Sequence, residues 1–486
     1  MATPARHVVR TAIVAALVLI CFSCSSKQTE TGTGSIVGDY LFDGMSFDAM
    51  VYTIVYEEDG KLFALFEMAD YPVEMEQLKS NPPTYRIRYK STGDFNLVFS
   101  DLENGRYNTI TMTSNDSDFE MDGSRGFNEM HKLRTHAYKS RKEYIYRKPI
   151  EINDGLETGT IQDAGIDTTA IYSMMNDILR NYDYMHSMLV IKDGKLVVEE
   201  YLNGWDPVRL HRLQSVTKSY TSTLVGLALK LGYIESVDDP IYRYLPRYDS
   251  LLTGEKREIT IEHLLTMSAG FEWNEAATYY AAPEECDAHL AEASGDFIEY
   301  VLEKPLVHAP GELYYYNSGF PNIMGHIIAE RSGTRILKFA FEHLFGPLGM
   351  ERAYWYRNQH EPGYRPGCAG GLRVTSRDMA KYGLLYLNDG MWNGEQLVDR
   401  DWIRESIEGK MDAGHGTRYG YFWKSTQSLD GEHDIFFASG TGGQYIACIP
   451  DLDAIVVTTA VFNTDKGDAV AMLLLEQLIP ALSGSL

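Results

Sequence analysis

The chain has 486 residues, with 68 acidic against 44 basic side chains and a formal charge of −24. Such a surface repels polyanions, so nucleic-acid binding is set aside. Hydrophobic content of 44% with 23% charged residues is that of a globular protein of two or three domains, and it excludes a wholly disordered or fibrous chain.

Arg6 and Arg10 precede an apolar run, Thr11–Phe22, that is too short to span a bilayer comfortably and reads with them as a signal peptide over residues 1–23. Ser23-Cys24 then resembles the lipobox of bacterial lipoproteins, with Cys21 standing where that pattern usually has leucine. The resemblance implies lipidation of Cys24 and an exported, membrane-anchored protein, periplasmic or at the cell surface. The alternative is an ordinary secretory signal cut nearby. Residues 24–33 are polar and read as a tether. Cys286, Cys368 and Cys448 are widely spaced, show no metal-binding pattern and do not by themselves choose a disulfide.

Residues 34–147 read as a small antiparallel β module. Asp59-Gly60 and Asn104-Gly105 are hairpin signals, and Tyr85, Ile87, Tyr89 and then Phe95, Leu97, Phe99 alternate as a half-buried sheet requires. The module carries no catalytic constellation. After a polar connection, residues 148–486 form the second unit. Asp193-Gly194 joins two apolar runs, two more strands flank Pro450 and Asp451, and an apolar-faced helix over Asp468–Ile479 closes the chain. Strands at both ends with helices between predict an antiparallel sheet faced by helices, an α+β fold.

Ser215 and Lys218 stand at the head of a predicted helix that runs to Leu231, with Leu224, Ala228 and Leu231 on one face and Gly232 as the stop. Residues at i and i+3 share a face, so Lys218 reaches Ser215. Serine is a common helix cap and a lysine can snorkel to water, which is the plain reading of the pair. The chemical reading is a serine nucleophile whose proton goes to a lysine kept neutral by burial. Ser-x-x-Lys occurs once in the chain, directly before a buried helix. The sequence contains no His-Glu-x-x-His, Gly-x-Ser-x-Gly or P-loop, which removes the common zinc-protease, α/β-hydrolase and NTPase readings.

Ser215-Val216-Thr217-Lys218, Tyr315-Tyr316-Asn317, "ITIEHLLTMSAGFEW" and "GGLRVTSRDMAKYGLLYLNDGMWNGEQL" together resemble the penicillin-binding-protein and class C β-lactamase family, from about Ile161 to the C-terminus. "SGTGGQ", Ser439 to Gln444, looks closer to the 6-aminohexanoate-dimer hydrolase and esterase branch. The resemblance implies an exported serine hydrolase without cofactor or metal, acting on a small amide or ester through an acyl-enzyme on Ser215. Lys218 or Tyr315 would be the base, and Asn317 would hold Lys218 and the substrate amide. Ser439 and Gly440 would match the Thr-Gly of the third motif, and the N–H groups of Ser215 and of Thr441 or a neighbour would hold the oxyanion. Ala438 would then replace the third-motif cation, which predicts an inefficient β-lactamase. Tyr314 and Tyr316 are read as packing residues, and Trp273, Tyr279 and Tyr280 as either pocket or packing. His211 and His263 are given no catalytic role. The alternative function is a penicillin-binding-like sensor or binding protein with little turnover.

Overall fold

The structure is a computed structural model that describes residues 35–42, 51–66, 73–89, 93–114, 120–125, 143–203, 205–275, 277–279, 281–355, 367–461 and 466–484. The leader, Cys24, the tether and Tyr280 lie outside them. No described helix is long and apolar enough to cross a membrane.

The N-terminal described residues build one nine-stranded antiparallel sheet. Its neighbours are mostly consecutive in sequence, and the Gly38–Phe42 strand pairs with Glu120–Arg125 to join the two halves. Asp59-Gly60 and Asn104-Gly105 take positive φ at both residues, as two-residue hairpin turns of the right twist demand. Tyr85, Ile87, Phe95, Leu97 and Phe99 are buried in one core with Tyr40, Val55 and Ile110. The predicted alternation therefore marks the buried face.

The second unit carries another nine-stranded sheet. Met185–Lys192 and Lys195–Tyr201 form the Asp193-Gly194 hairpin, with φ of 51° and 74° at the turn. Met185–Lys192 pairs on its other side with Ala454–Ala460, so the start and end of the unit are stitched together. Outward from there run Gln444–Ile449, Asp434–Gly440, Lys424–Gln427, Thr417–Tyr419 and Met411–Gly414, all antiparallel. Helices cover both faces. Thr168–Asn181 and the C-terminal helices pack on one core, and the helices Val216–Lys230, Gly319–Ser332 and Ser376–Leu387 on the other.

Val216–Lys230 is the central helix, and it is buried on nearly every side rather than along a single stripe. Gly226 permits this, because a Cβ there would stand 2.4 Å from the Trp402 ring. The expected apolar face is right at Leu224 and Ala228. Leu231 is 45% exposed at the C-cap, where the helix is already ending ahead of Gly232 at φ 75°. Cys286, Cys368 and Cys448 are buried free thiols.

Candidate active site

Ser215 is the N-cap of the central helix, yet its hydroxyl makes no capping bond. The helix start is fixed by backbone instead. The N–H groups of Val216, Thr217 and Lys218 donate to the carbonyls of Leu213, Gln214 and Ser215. The approach strand is held from the side, with Leu213 N–H donating to Leu372 C=O at 2.9 Å and Leu372 N–H to Thr217 Oγ1 at 3.3 Å. Gln214 takes φ 49°, a left-handed conformation that a non-glycine residue keeps only where its surroundings enforce it.

The Ser215 Oγ is thereby free for other partners. Lys218 Nζ donates to it at 2.8 Å, and it shares a 2.7 Å hydrogen bond with the hydroxyl of Tyr316. Lys218 is 2% exposed, and its second hydrogen bond goes to the Ala369 carbonyl at 2.9 Å. Its ammonium also lies 4.8 Å from the centroid of the Tyr316 ring. Burial pulls Lys218 down to about 8, partly opposed by the carboxylate of Glu275. Tyr316 is pushed up instead, by burial first and by Glu275 second, so its hydroxyl stays protonated. A lysine poised near neutrality and a protonated tyrosine touch the same serine oxygen.

The tyrosine in this position is Tyr316 and not Tyr315, which corrects the expectation from sequence. The segment before the Gly319–Ser332 helix is extended, so alternate side chains point to opposite sides. Tyr315 N–H donates to the Met267 carbonyl at 2.7 Å, and its side chain turns outward, 38% exposed, beside His308. Tyr314 and Tyr316 turn inward, and Tyr314 packs on Tyr419 with ring centroids 5.0 Å apart. Asn317 is also placed differently from the expectation. Its Oδ1 accepts from Gly319 N–H at 2.6 Å at the head of the next helix, and its buried Nδ2 has no partner among the described residues, so no hydrogen bond joins it to Lys218.

Glu275 was not foreseen. It is a buried carboxylate that accepts from Trp273 Nε1 at 2.7 Å, from Ser318 N–H at 2.9 Å and from Ser318 Oγ at 2.5 Å. A chain of hydrogen bonds thus runs from Trp273 through Glu275 to Ser318, two residues beyond the tyrosine on the nucleophile, and the Glu275 charge acts on that tyrosine through space. Trp273 is a packing residue that orients Glu275, and Tyr279 packs against His289. His263 caps its own short helix by exchanging bonds with Thr260, and His211 pairs with His186.

The third motif lies against the nucleophile. A Cβ on Gly440 would stand 2.3 Å from the Leu213 carbonyl oxygen and 3.1 Å from Ser215 N, so only glycine lets the Asp434–Gly440 strand approach this closely. The N–H groups of Ser215 and Thr441 have no partner among the described residues. The cation expected to be missing is present. Ala438 is buried in the core beneath, while Ser439 Oγ accepts a 3.1 Å hydrogen bond from Lys424 Nζ on the adjacent strand. Burial, and secondarily the charge of Lys218, hold Lys424 at about 8. The ground for expecting a weak β-lactamase, an empty cation position, therefore falls away.

Comparison with known proteins agrees with this geometry. Residues 183–479, well over half of the chain, match the family model described as Beta-lactamase. The chain belongs to the beta-lactamase family. It is similar to the 6-aminohexanoate-dimer hydrolase of Paenarthrobacter ureafaciens, with 24% identity over 289 residues, 56% of this chain and 71% of that protein. Among solved structures it shares its fold with the D-amino acid amidase of Ochrobactrum anthropi SV3, at a TM-score of 0.51 and 16% identity, covering 66% of this chain and 99% of that one. The octameric penicillin-binding protein homologue of Pyrococcus abyssi gives a TM-score of 0.51 at 20% identity, covering 64% of this chain and 77% of that one. The N-terminal sheet precedes the matched residues. The α+β fold with an antiparallel sheet faced by helices is that of this family, and the chain is a serine hydrolase of the beta-lactamase type.

Proposed function

We propose that this chain hydrolyses a small amide or ester through an acyl-enzyme on Ser215. The observation that carries the reading is the double contact of Ser215 Oγ with Lys218 Nζ and the Tyr316 hydroxyl. Lys218, held near 8, takes the hydroxyl proton as the oxygen attacks the carbonyl carbon. The partner-free N–H groups of Ser215 and Thr441 receive the oxyanion. Tyr316, whose proton is held more tightly, donates to the departing nitrogen or oxygen as the tetrahedral intermediate collapses. The proton that Lys218 took passes to the Tyr316 oxygen, which leaves the amine neutral; water then attacks the acyl-enzyme with Lys218 again as base, and Ser215 Oγ leaves with the proton taken from that water. The likeness to an aminohexanoate-dimer hydrolase and the fold shared with an amidase support an amide as readily as an ester.

The reading extends to an exported protein tethered by lipid on Cys24. Arg6, Arg10, the apolar run and Ser23-Cys24 are its support.

A fluorophosphonate probe tests the nucleophile. The probe is expected on Ser215, with Ser215→Ala unlabelled, inactive and folded. Mass spectrometry that places the adduct on another residue, or no adduct at all, would sink the assignment.

A further inference from the structure

The loop that carries the Thr441 N–H is rich in glycine. Gly440 pairs with Gln444 across the hairpin, and Thr441, Gly442 and Gly443 lie between them, with φ of 90° and 105° at the two glycines. Glycines leave a backbone free to rotate, so a group outside the loop is needed to fix the direction of that N–H. Gln444 is wholly buried and supplies it. Its Nε2 donates to the Ala460 carbonyl at 2.8 Å and to the Thr441 carbonyl at 3.2 Å, and its Oε1 accepts from Ala460 N–H at 3.0 Å. The backbone ladder between Gln444–Ile449 and Ala454–Ala460 ends at Tyr445 opposite Thr458. Beyond it the carboxamide of Gln444 stands in for a backbone partner of Ala460, and its second amide proton reaches across to the loop.

The peptide groups on both sides of Thr441 are held. Gly443 N–H donates to Gly440 C=O at 3.3 Å, and in a trans peptide a C=O and the following N–H point in opposite directions, so this bond turns the Thr441 N–H away from the loop. Gln444 holds the carbonyl on the other side, and Thr441 is then unable to swivel about either peptide. We infer that Gln444 is a positioning residue for the oxyanion site: it acts through Thr441 rather than on the reacting atoms, and it fixes the N–H that receives the charge of the tetrahedral intermediate. A donor set in place beforehand is effective because no reorientation remains to be done as the charge develops. The inference rests on the hydrolase reading above and gives the last residue of the Ser439–Gln444 segment a role within it.

The test compares phenyl butyrate with O-phenyl thionobutyrate, in which sulfur replaces the carbonyl oxygen. Sulfur is a weak hydrogen-bond acceptor, so well-aimed N–H donors favour the oxygen ester. The ratio of the two kcat/KM values also cancels any loss of folded enzyme. Wild type is expected to favour the oxygen ester strongly. Gln444→Met removes all three side-chain bonds and should lower kcat on the oxygen ester roughly tenfold to a hundredfold, short of the loss of a whole donor, with KM within about threefold. Its preference for the oxygen ester should fall by roughly tenfold. Where Gln444→Met fails to fold, Gln444→Glu is read in its place; it keeps an acceptor for Ala460 N–H, has no amide donor for Thr441, and should show the same fall in preference. Ratios that agree within about twofold in wild type and variant, with Ser215 still labelled by fluorophosphonate, overturn this inference alone, since the glutamine then only supports the fold. A wild type that turns over both esters equally overturns it as well. A wild type that turns over neither ester and leaves Ser215 unlabelled overturns the hydrolase reading and this inference with it.

Discussion

Two cations are buried in the same unit, and their surroundings are opposite. Arg377 is wholly buried and fully compensated. Its guanidinium binds both oxygens of Glu199 at 2.7 and 2.9 Å, Asp154 at 2.9 Å and the Ile150 carbonyl at 2.5 Å. The ring of donors is matched to planar acceptors, as a guanidinium requires. Lys218 is as deeply buried, but it touches a hydroxyl, a carbonyl oxygen and the face of a tyrosine ring, and the nearest compensating charge, Glu275, acts on it without an ion-pair contact. The arginine ties together three stretches of chain and cannot lose its proton. The lysine is left able to lose one. A buried charge that is paid in full holds structure, and one left short of compensation titrates in the range where chemistry is done.

Removal of each cation is the sharpest way to break the comparison. Arg377→Met leaves two buried carboxylates without a partner and is expected to destabilise the protein by about 3–5 kcal/mol in urea unfolding. Lys218→Met should act in the other direction. The ordinary lysine value is 10.5 and the folded one about 8, so between those pH values the unfolded chain holds a proton that the folded one lacks. Stability attributable to this group therefore rises from pH 8 to 10.5, and below pH 8 the folded protein bears the whole penalty of the buried charge, roughly 3 kcal/mol. At pH 7 Lys218→Met should gain about 1–3 kcal/mol, and should lose roughly a thousandfold or more in kcat/KM. If both variants are destabilised alike, the lysine is structural and the distinction fails.

A smaller effect separates two adjacent tyrosines. Tyr316→Phe removes the hydroxyl on Ser215 and should lower kcat/KM by roughly a hundredfold or more. Tyr315→Phe alters an exposed side chain and should stay within about twofold, as surface changes do. The reverse ranking would restore the reading made from sequence.

That reading failed at Tyr315 for a physical reason. Three consecutive tyrosines offer no internal sign of which turns inward. The phase of the extended segment is set by the Met267 carbonyl, on a loop about fifty residues upstream, which takes the Tyr315 N–H. Features whose cause is local were legible. Asp59-Gly60, Asn104-Gly105 and Asp193-Gly194 are turns because their own residues favour positive φ. Ser215 and Lys218 meet because one helical turn brings them together. Features assembled across the chain were not. Lys424 reaches the site through its register with Phe437, Ala369 contributes a backbone oxygen, and the Arg377 cluster joins residues that lie far apart in sequence. Glu275 gave only the weak signal of an acid beside Trp273 in a family-like segment.

The smallest expected effect is a displacement along the pH axis, and it tests how Lys218 is kept between the two extremes. With Lys218 as base, kcat/KM on a neutral ester should rise with pH through a limb near 8. The limb belongs to a coupled set, since Lys424 repels Lys218 and the Tyr316 hydroxyl stays protonated across the range. Glu275 opposes the effect of burial by favouring the ammonium form of Lys218. Glu275→Gln removes that negative charge, and the carboxamide oxygen can still accept from Trp273 Nε1 or Ser318. With less to hold the proton, Lys218 should lose it more readily, and the rising limb should move to lower pH. The variant should then retain a larger share of its maximal kcat/KM at pH 6 than the wild type does. A limb that stays in place while activity falls equally at every pH would show that Glu275 only holds the loop to Ser318. A limb that moves to higher pH would mean that the carboxylate does not act on Lys218 in the way its position implies.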